Sequence, residues 1–204
     1  MSEHFPNDQS IILVISGPTG SGKTTLCERM VAENSNIERV VTSTTRAQRP
    51  GERDGFDYYF FAPETFLKKI DGDEFYEFAQ VFNRDYYGTL KSEIDAKLSR
   101  NSDLLINLDV QGAASMRQAA ENTPYLQGRV VTVFVRPGDM NEIKRRLQER
   151  GDHETEIERR LKSIHEELEQ SRYYDHIIHT TSKSADFQAL MDIYKLEKDR
   201  RKCS

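Results

Sequence analysis

Hydrophobic residues recur along the chain as short continuous runs separated by longer, mostly polar stretches. Residues 11–15, 104–108 and 130–135 are the clearest runs, and residues 39–42 and 176–180 are weaker ones. A continuous apolar run of this length is typical of a strand buried on both faces of a parallel sheet. Because helical stretches alternate with these runs, the pattern predicts an α/β fold with a doubly wound sheet.

The segment between the second and third predicted strands has a different character. Residues 43–88 are rich in Tyr, Phe, Gly and Arg, with short strands predicted at residues 58–61 and 75–80 around one helix after Pro63. This composition indicates a small mixed lobe inserted into the sheet. The predicted division is a core of residues 1–42 and 90–204, with residues 43–89 as the inserted lobe.

Length and charge narrow the class of protein. With 204 residues the chain can form one full core with a small excursion, but not two large domains. A net charge of −5 argues against nucleic acid as the main partner, although a nucleotide site needs only a few focused cations. No apolar run is long enough to cross a bilayer, and residues 1–8 contain no Lys or Arg of the kind that begins a secretory signal. A cytoplasmic location without membrane partners is therefore expected.

A glycine-rich turn follows the first predicted strand. From Gly17 to Thr24 it fits the pattern G-x-x-x-x-G-K-[ST], between a strand and a helix as the motif requires. Glycines let backbone N–H groups converge on phosphate oxygens, Lys23 supplies a charge for the β and γ phosphates, and the Thr24 hydroxyl is predicted to hold Mg²⁺. The alternative is a connecting turn without a ligand. The residues predicted to contact the triphosphate are Gly17, Pro18, Thr19, Gly20, Ser21, Gly22, Lys23, Thr24 and Thr25.

Two arginines three positions apart suggest a second phosphate site. Arg46 and Arg49 follow the strand predicted at residues 39–42 and are close to Pro50 and Gly51. Guanidinium groups match phosphate oxygens with paired hydrogen bonds, so this segment predicts a rigid cationic pocket. Considered singly, each arginine could equally be a surface charge.

Four further segments occur in a fixed order: S-T-T-R-x-x-R-x-G-E at 43–52, D-Y-x-F at 57–60, E-F-x-E-x-A-Q at 74–80 and Y-Y-G-[ST] at 86–89. Together with the glycine-rich turn they resemble the guanylate kinase family over nearly the whole chain. The resemblance implies a P-loop nucleoside-monophosphate-kinase fold, with a parallel sheet core flanked by helices, an inserted mixed α/β lobe that binds GMP, and a lid at about residues 146–160. It also implies an enzyme that transfers the γ phosphate of ATP to GMP, giving ADP and GDP.

The resemblance also assigns the acceptor site. Glu77 matches the carboxylate that recognises guanine, whose adjacent N1–H and N2–H donors one carboxylate can accept together. Adenine lacks that pair, and a polar site left unpaired discriminates strongly. Considered singly, Glu77 could be a solvent-facing strand residue, and the tyrosines could be packing residues. The implied GMP-binding residues are Thr42, Arg46, Arg49, Tyr58, Glu77, Tyr87, Thr89 and Asp109.

Two regions concern charge neutralisation around the transferred phosphate. The family pattern Asp-x-Asp after the third strand is here Asn107 and Asp109, so one carboxylate is replaced by an amide, and Asp109 is expected to face the site. Arg150 and Arg160 match lid arginines that close on the triphosphate, although Arg150 could instead complement a helix C-terminus. The implied catalytic residues are Lys23, Arg46, Arg150 and Arg160.

Two rival functions remain open on the sequence. A catalytically silent interaction module could share the family pattern, and a P-loop kinase could act on another small phosphate ester. The resemblance favours ATP and GMP as partners, with dGMP as a further acceptor and Mg²⁺ as the cofactor, in a monomer or a homodimer.

Overall fold

The computed structural model describes residues 10–81, 84–149 and 153–202, except the side chains of residues 142, 146, 156 and 160. Residues 1–8, which bear on the secretory signal, lie outside these ranges. The described strands and helices are, in order, β1 (Ile12–Ser16), α1 (Lys23–Glu33), β2 (Ile37–Arg39), β3 (Ser43–Thr44), β4 (Tyr59–Phe60), α2 (Pro63–Asp71), β5 (Phe75–Val81), β6 (Asp85–Leu90), α3 (Lys91–Leu98), β7 (Asp103–Asn107), α4 (Val110–Asn122), β8 (Val130–Arg136), α5 (Met140–Glu149), α6 (Glu154–Glu169), a 3₁₀ turn (Gln170–Tyr173), β9 (His176–His179) and α7 (Lys183–Lys202).

The larger sheet has five strands in the order β2-β7-β1-β8-β9, and every neighbouring pair is parallel. Its centre is β1, whose residues are all buried. Side chains alternate along a strand, so Leu13 and Ile15 pack on one side with Met30 and Leu190 of the helices, while Val14 packs on the other side with Met116. The predicted parallel α/β core is therefore confirmed.

The smaller sheet has the order β4-β3-β6-β5 and combines parallel and antiparallel pairs. A separate apolar cluster of Phe66, Phe75 and Leu90 supports it. All its strands come from residues 43–90, the part of the sequence predicted to form the inserted lobe. The assignment of the two sheets to separate domains stays a prediction.

One predicted strand is wrong. The second strand of the large sheet is Ile37–Arg39 rather than residues 39–42. After it, Val40 still donates to Leu105, but the N–H of Val41 donates to the side chain of Glu93 instead of a neighbouring strand. Val40 and Val41 are buried all the same, so their apolar character marks a buried connection between the sheets and not a longer strand.

Helices α5 and α6 pack together through a small cluster of Ile143, Leu147, Ile157 and Ile164. The predicted lid, at about residues 146–160, spans the end of α5 and the start of α6. Within the described ranges, no helix combines the length and the apolar character that crossing a membrane would require.

Candidate active site

The glycine-rich turn leads from β1 into α1 at the carboxyl edge of the large sheet. Gly17 has a φ of 139°, and a Cβ there would come within 2.4 Å of the Val135 carbonyl oxygen, so only glycine fits. Gly22, with a φ of 95°, ends the turn directly before Lys23 begins the helix. The backbone is therefore shaped to bring the turn close to β8 and to present a helix N-terminus, where anions are stabilised.

A large cleft of about 1600 Å³ opens above this turn. It is larger than the ~300–1,000 Å³ typical of a site for one small molecule. Residues of the turn line one part, and residues of the smaller sheet line another. The cleft therefore has room for two ligands side by side.

Lys23 and Thr24 lie at the donor end of the cleft. The Lys23 ammonium donates to the carbonyl oxygens of Gly17 (2.6 Å) and Pro18 (2.9 Å), which hold it at the mouth of the turn. The amide of Asn107 donates to the Thr24 hydroxyl over 3.4 Å. A hydroxyl and an amide, with Asp109 also lining the cleft, offer the hard oxygen atoms that Mg²⁺ prefers when phosphates and water complete its shell. These residues fit a bound magnesium ion.

Glu77 is a buried carboxylate in the part of the cleft that the smaller sheet lines, called here the acceptor end. It shares the inward face of β5 with Phe75 and Ala79, is only 4% exposed and still lines the cleft. The Thr89 hydroxyl, directly opposite on β6, donates to its Oε1 over 2.6 Å. Burial raises the pKa of Glu77 to about 8, the Thr89 hydrogen bond opposes that shift, and the Asp109 carboxylate adds to it. The solvent-facing alternative for Glu77 is therefore wrong.

The two arginines of the predicted phosphate pocket differ. Arg49 is exposed and lines the cleft, whereas Arg46 does not. Both Nη atoms of Arg46 donate to the carboxylate of Glu52, at 2.8 and 3.0 Å, and its guanidinium lies 5.5 Å from the centre of the Tyr58 ring. Glu52 also accepts from the backbone N–H of Arg49. Glu52 therefore stabilises the turn that contains both arginines. The sequence did not indicate this role, although Glu52 is the last residue of the segment at 43–52.

The remaining acceptor residues surround Glu77. The rings of Tyr58 and Tyr87 meet edge to face, with centroids 6.1 Å apart, and both line the cleft with Thr42. Burial raises the pKa of the Tyr58 phenol, which keeps its O–H available as a donor. Thr89 is fully buried and reaches the cleft only through Glu77.

Acidic groups of the core complete the cleft. Asp109 caps α4, since its Oδ1 accepts from the N–H of Gly112 over 2.7 Å. Glu167 of α6 also lines the cleft, and burial raises its pKa despite the opposing charge of Lys23. Sequence reasoning missed Glu167, because a glutamate on a polar helix carries no distinguishing local signal.

The structure does not describe the side chains of the two predicted lid arginines. Arg150 lies outside the described residues. Arg160 belongs to α6, but its side chain is outside the described set. Arg145 and Glu149, which precede this segment in α5, line the cleft. The catalytic role of both predicted arginines stays a prediction.

The fold and the cleft are those of a P-loop phosphotransferase. Comparison with known sequences agrees: the guanylate kinase family model matches residues 9–195. The chain is 35% identical to the guanylate kinase of Bartonella quintana over 198 residues, which cover 96% of this chain and 86% of that protein. It is 34% identical to that of Clostridioides difficile, covering 94% and 90% of the two chains. The chain belongs to the guanylate kinase family.

A solved structure extends the comparison to three dimensions. The crystal structure of guanylate kinase from Anaplasma phagocytophilum superposes with a TM-score of 0.74, at 28% identity, over 95% of this chain and 89% of that one. The likeness therefore includes both the large sheet and most of the remaining chain.

Proposed function

We propose that this protein transfers the γ phosphate of ATP to GMP, giving ADP and GDP. The observation that carries the proposal is Glu77, a buried carboxylate that lines the acceptor end of the cleft and is held by Thr89. Its two oxygens can accept the paired N1–H and N2–H donors of guanine. An adenine base offers no such pair, so Glu77 would be left buried and unsatisfied.

The other site residues divide between the two ligands. The turn from Gly17 to Thr25 binds the triphosphate of ATP, and Lys23 neutralises its β and γ phosphates. Arg49, Tyr58 and Tyr87 bind the phosphate of GMP, and Arg46 supports them from its ion pair with Glu52. We also propose dGMP as an acceptor, since the assigned contacts are to the base and the phosphate.

Transfer needs alignment and charge neutralisation more than proton transfer. The attacking atom is an oxygen of the GMP phosphate, so no general base is required. Thr24 would hold Mg²⁺, which would supply positive charge to neutralise the phosphate oxygens. Closing the cleft, with Arg150 and Arg160 of the lid, aligns the two phosphates and excludes water.

A coupled assay that detects ADP tests the proposal, with ATP and each of GMP, dGMP, AMP, CMP and UMP as acceptors. Production of ADP with GMP and dGMP only is the expected result. If none of the acceptors gives ADP, the silent interaction module is favoured. If ADP forms with another phosphate ester instead of GMP, the second rival is favoured. We place the enzyme in the cytoplasm, and light scattering on the purified protein distinguishes a monomer from a homodimer.

A further inference from the structure

The first turn of α4 touches the acceptor site through a glycine. Gly112 is the third residue of this helix and is buried. Glycine in a helix costs about 0.5–1 kcal/mol relative to alanine, because its backbone is more flexible when unfolded. The φ of Gly112 is not in the left-handed region, so backbone conformation does not explain the choice of glycine. The reason must be the space that a side chain would fill.

That space lies between two carboxylates. A Cβ on Gly112 would stand 3.3 Å from Oε2 of Glu77 and 3.4 Å from Oδ1 of Asp109. Each acid is held by a hydrogen bond. Oε1 of Glu77 is held by the buried Thr89 hydroxyl, and Oδ1 of Asp109 accepts from the N–H of Gly112 itself. The missing side chain therefore keeps a gap open between an oxygen of the smaller sheet and an oxygen of the large-sheet core.

We propose that Gly112 is a specificity-determining residue that keeps this gap open for the exocyclic 2-amino group of guanine. The inference rests on the proposed function. An amino group has two N–H donors, and the gap is bordered by two carboxylate oxygens that can each accept one. A methyl group at position 112 would occupy the approach to both oxygens and donate nothing.

Inosine monophosphate provides the test, because it is GMP without the 2-amino group. In the wild-type protein the 2-amino group should favour GMP over inosine monophosphate. In Gly112→Ala that advantage should be lost. Hydrogen bonds to charged groups contribute enough that kcat/KM for GMP should fall by about ten- to a hundredfold. The kcat/KM for inosine monophosphate and the affinity for ATP should stay within about twofold of wild type.

The controls separate this role from a merely structural one. Gln118→Ala places an alanine at an exposed position of α4 and should leave both acceptors unchanged. Thermal unfolding should show Gly112→Ala no less stable than wild type, and Gly112→Ser gives a second variant with the same added Cβ. Equal losses for GMP and inosine monophosphate, or no loss for either, would overturn the inference. A wild-type protein that does not phosphorylate GMP would instead overturn the proposed function.

Discussion

Replacing Glu77 by glutamine should stabilise the ligand-free protein, and the gain should grow with pH. Glu77 is 4% exposed, and burial raises its pKa to about 8. Glutamine has the same shape, keeps an oxygen to accept from Thr89, and carries no charge at any pH. The substitution therefore removes the cost of burying a carboxylate while keeping the packing.

The sign and size follow from proton linkage. Below about pH 4.5 the carboxyl group is protonated in both the folded and unfolded chains, so its contribution to stability is intact. As the pH rises towards 8, the unfolded chain releases this proton while the folded chain keeps it, and stability falls. At about 1.4 kcal/mol per pH unit, the full loss is roughly 4–5 kcal/mol above pH 8 and roughly 2 kcal/mol at pH 6.

Urea unfolding of the wild-type and Glu77→Gln proteins at pH 6 and pH 9, without nucleotides, measures the effect. The free energy of unfolding of the variant, relative to wild type, should increase by roughly 2–3 kcal/mol between the two pH values. Glu28→Gln, at an exposed position of α1, is the matched control for the loss of one carboxylate. A Glu77→Gln difference that is equal at both pH values, or that shrinks at pH 9, would refute the reasoning.

Three further measurements test other parts of the structure. As the pH falls from 8.5 to 7, the KM for GMP should rise by about tenfold, because Glu77 must be ionised to accept both hydrogen bonds from guanine. The KM for ATP should not change in the same way, and a KM for GMP that is independent of pH contradicts the prediction. Asn107→Asp places a carboxylate beside the Thr24 hydroxyl and should lower by a few-fold the Mg²⁺ concentration for half-maximal ATP binding; an unchanged titration argues against a metal at Thr24. Asp103→Ala should cost roughly 3–5 kcal/mol in urea unfolding, because the buried carboxylate pairs with Lys198 and accepts from Tyr194, whereas exposed Asp199→Ala should cost little.

Much of the core could be predicted from the sequence because its signals are local. A continuous run of apolar residues such as 104–108 is typical of a strand that is buried on both faces. The glycine-rich turn is recognisable because each residue serves a nearby backbone or phosphate. By contrast, β6 and α3 were not predicted, since Tyr, Gly and Thr in residues 85–90 fit a loop as well as an antiparallel strand.

The base-recognising part of the acceptor site was found only through the ordered segments, and its geometry is a property of the folded chain. Nothing adjacent to Glu77 in the sequence buries it. Burial comes from Thr89 across the small sheet and from the first turn of α4, more than thirty residues away. The binding partner of Arg46 likewise depends on how its turn closes around Glu52.

The sequence by itself determined the parallel core, the triphosphate turn and the family, because each depends on residue types at short or fixed spacings. Only the tertiary structure decided which acid is buried, which arginine reaches the cleft and why position 112 has no side chain. Those properties arise where distant segments meet, since desolvation and steric exclusion depend on every neighbour in space and not on neighbours along the chain.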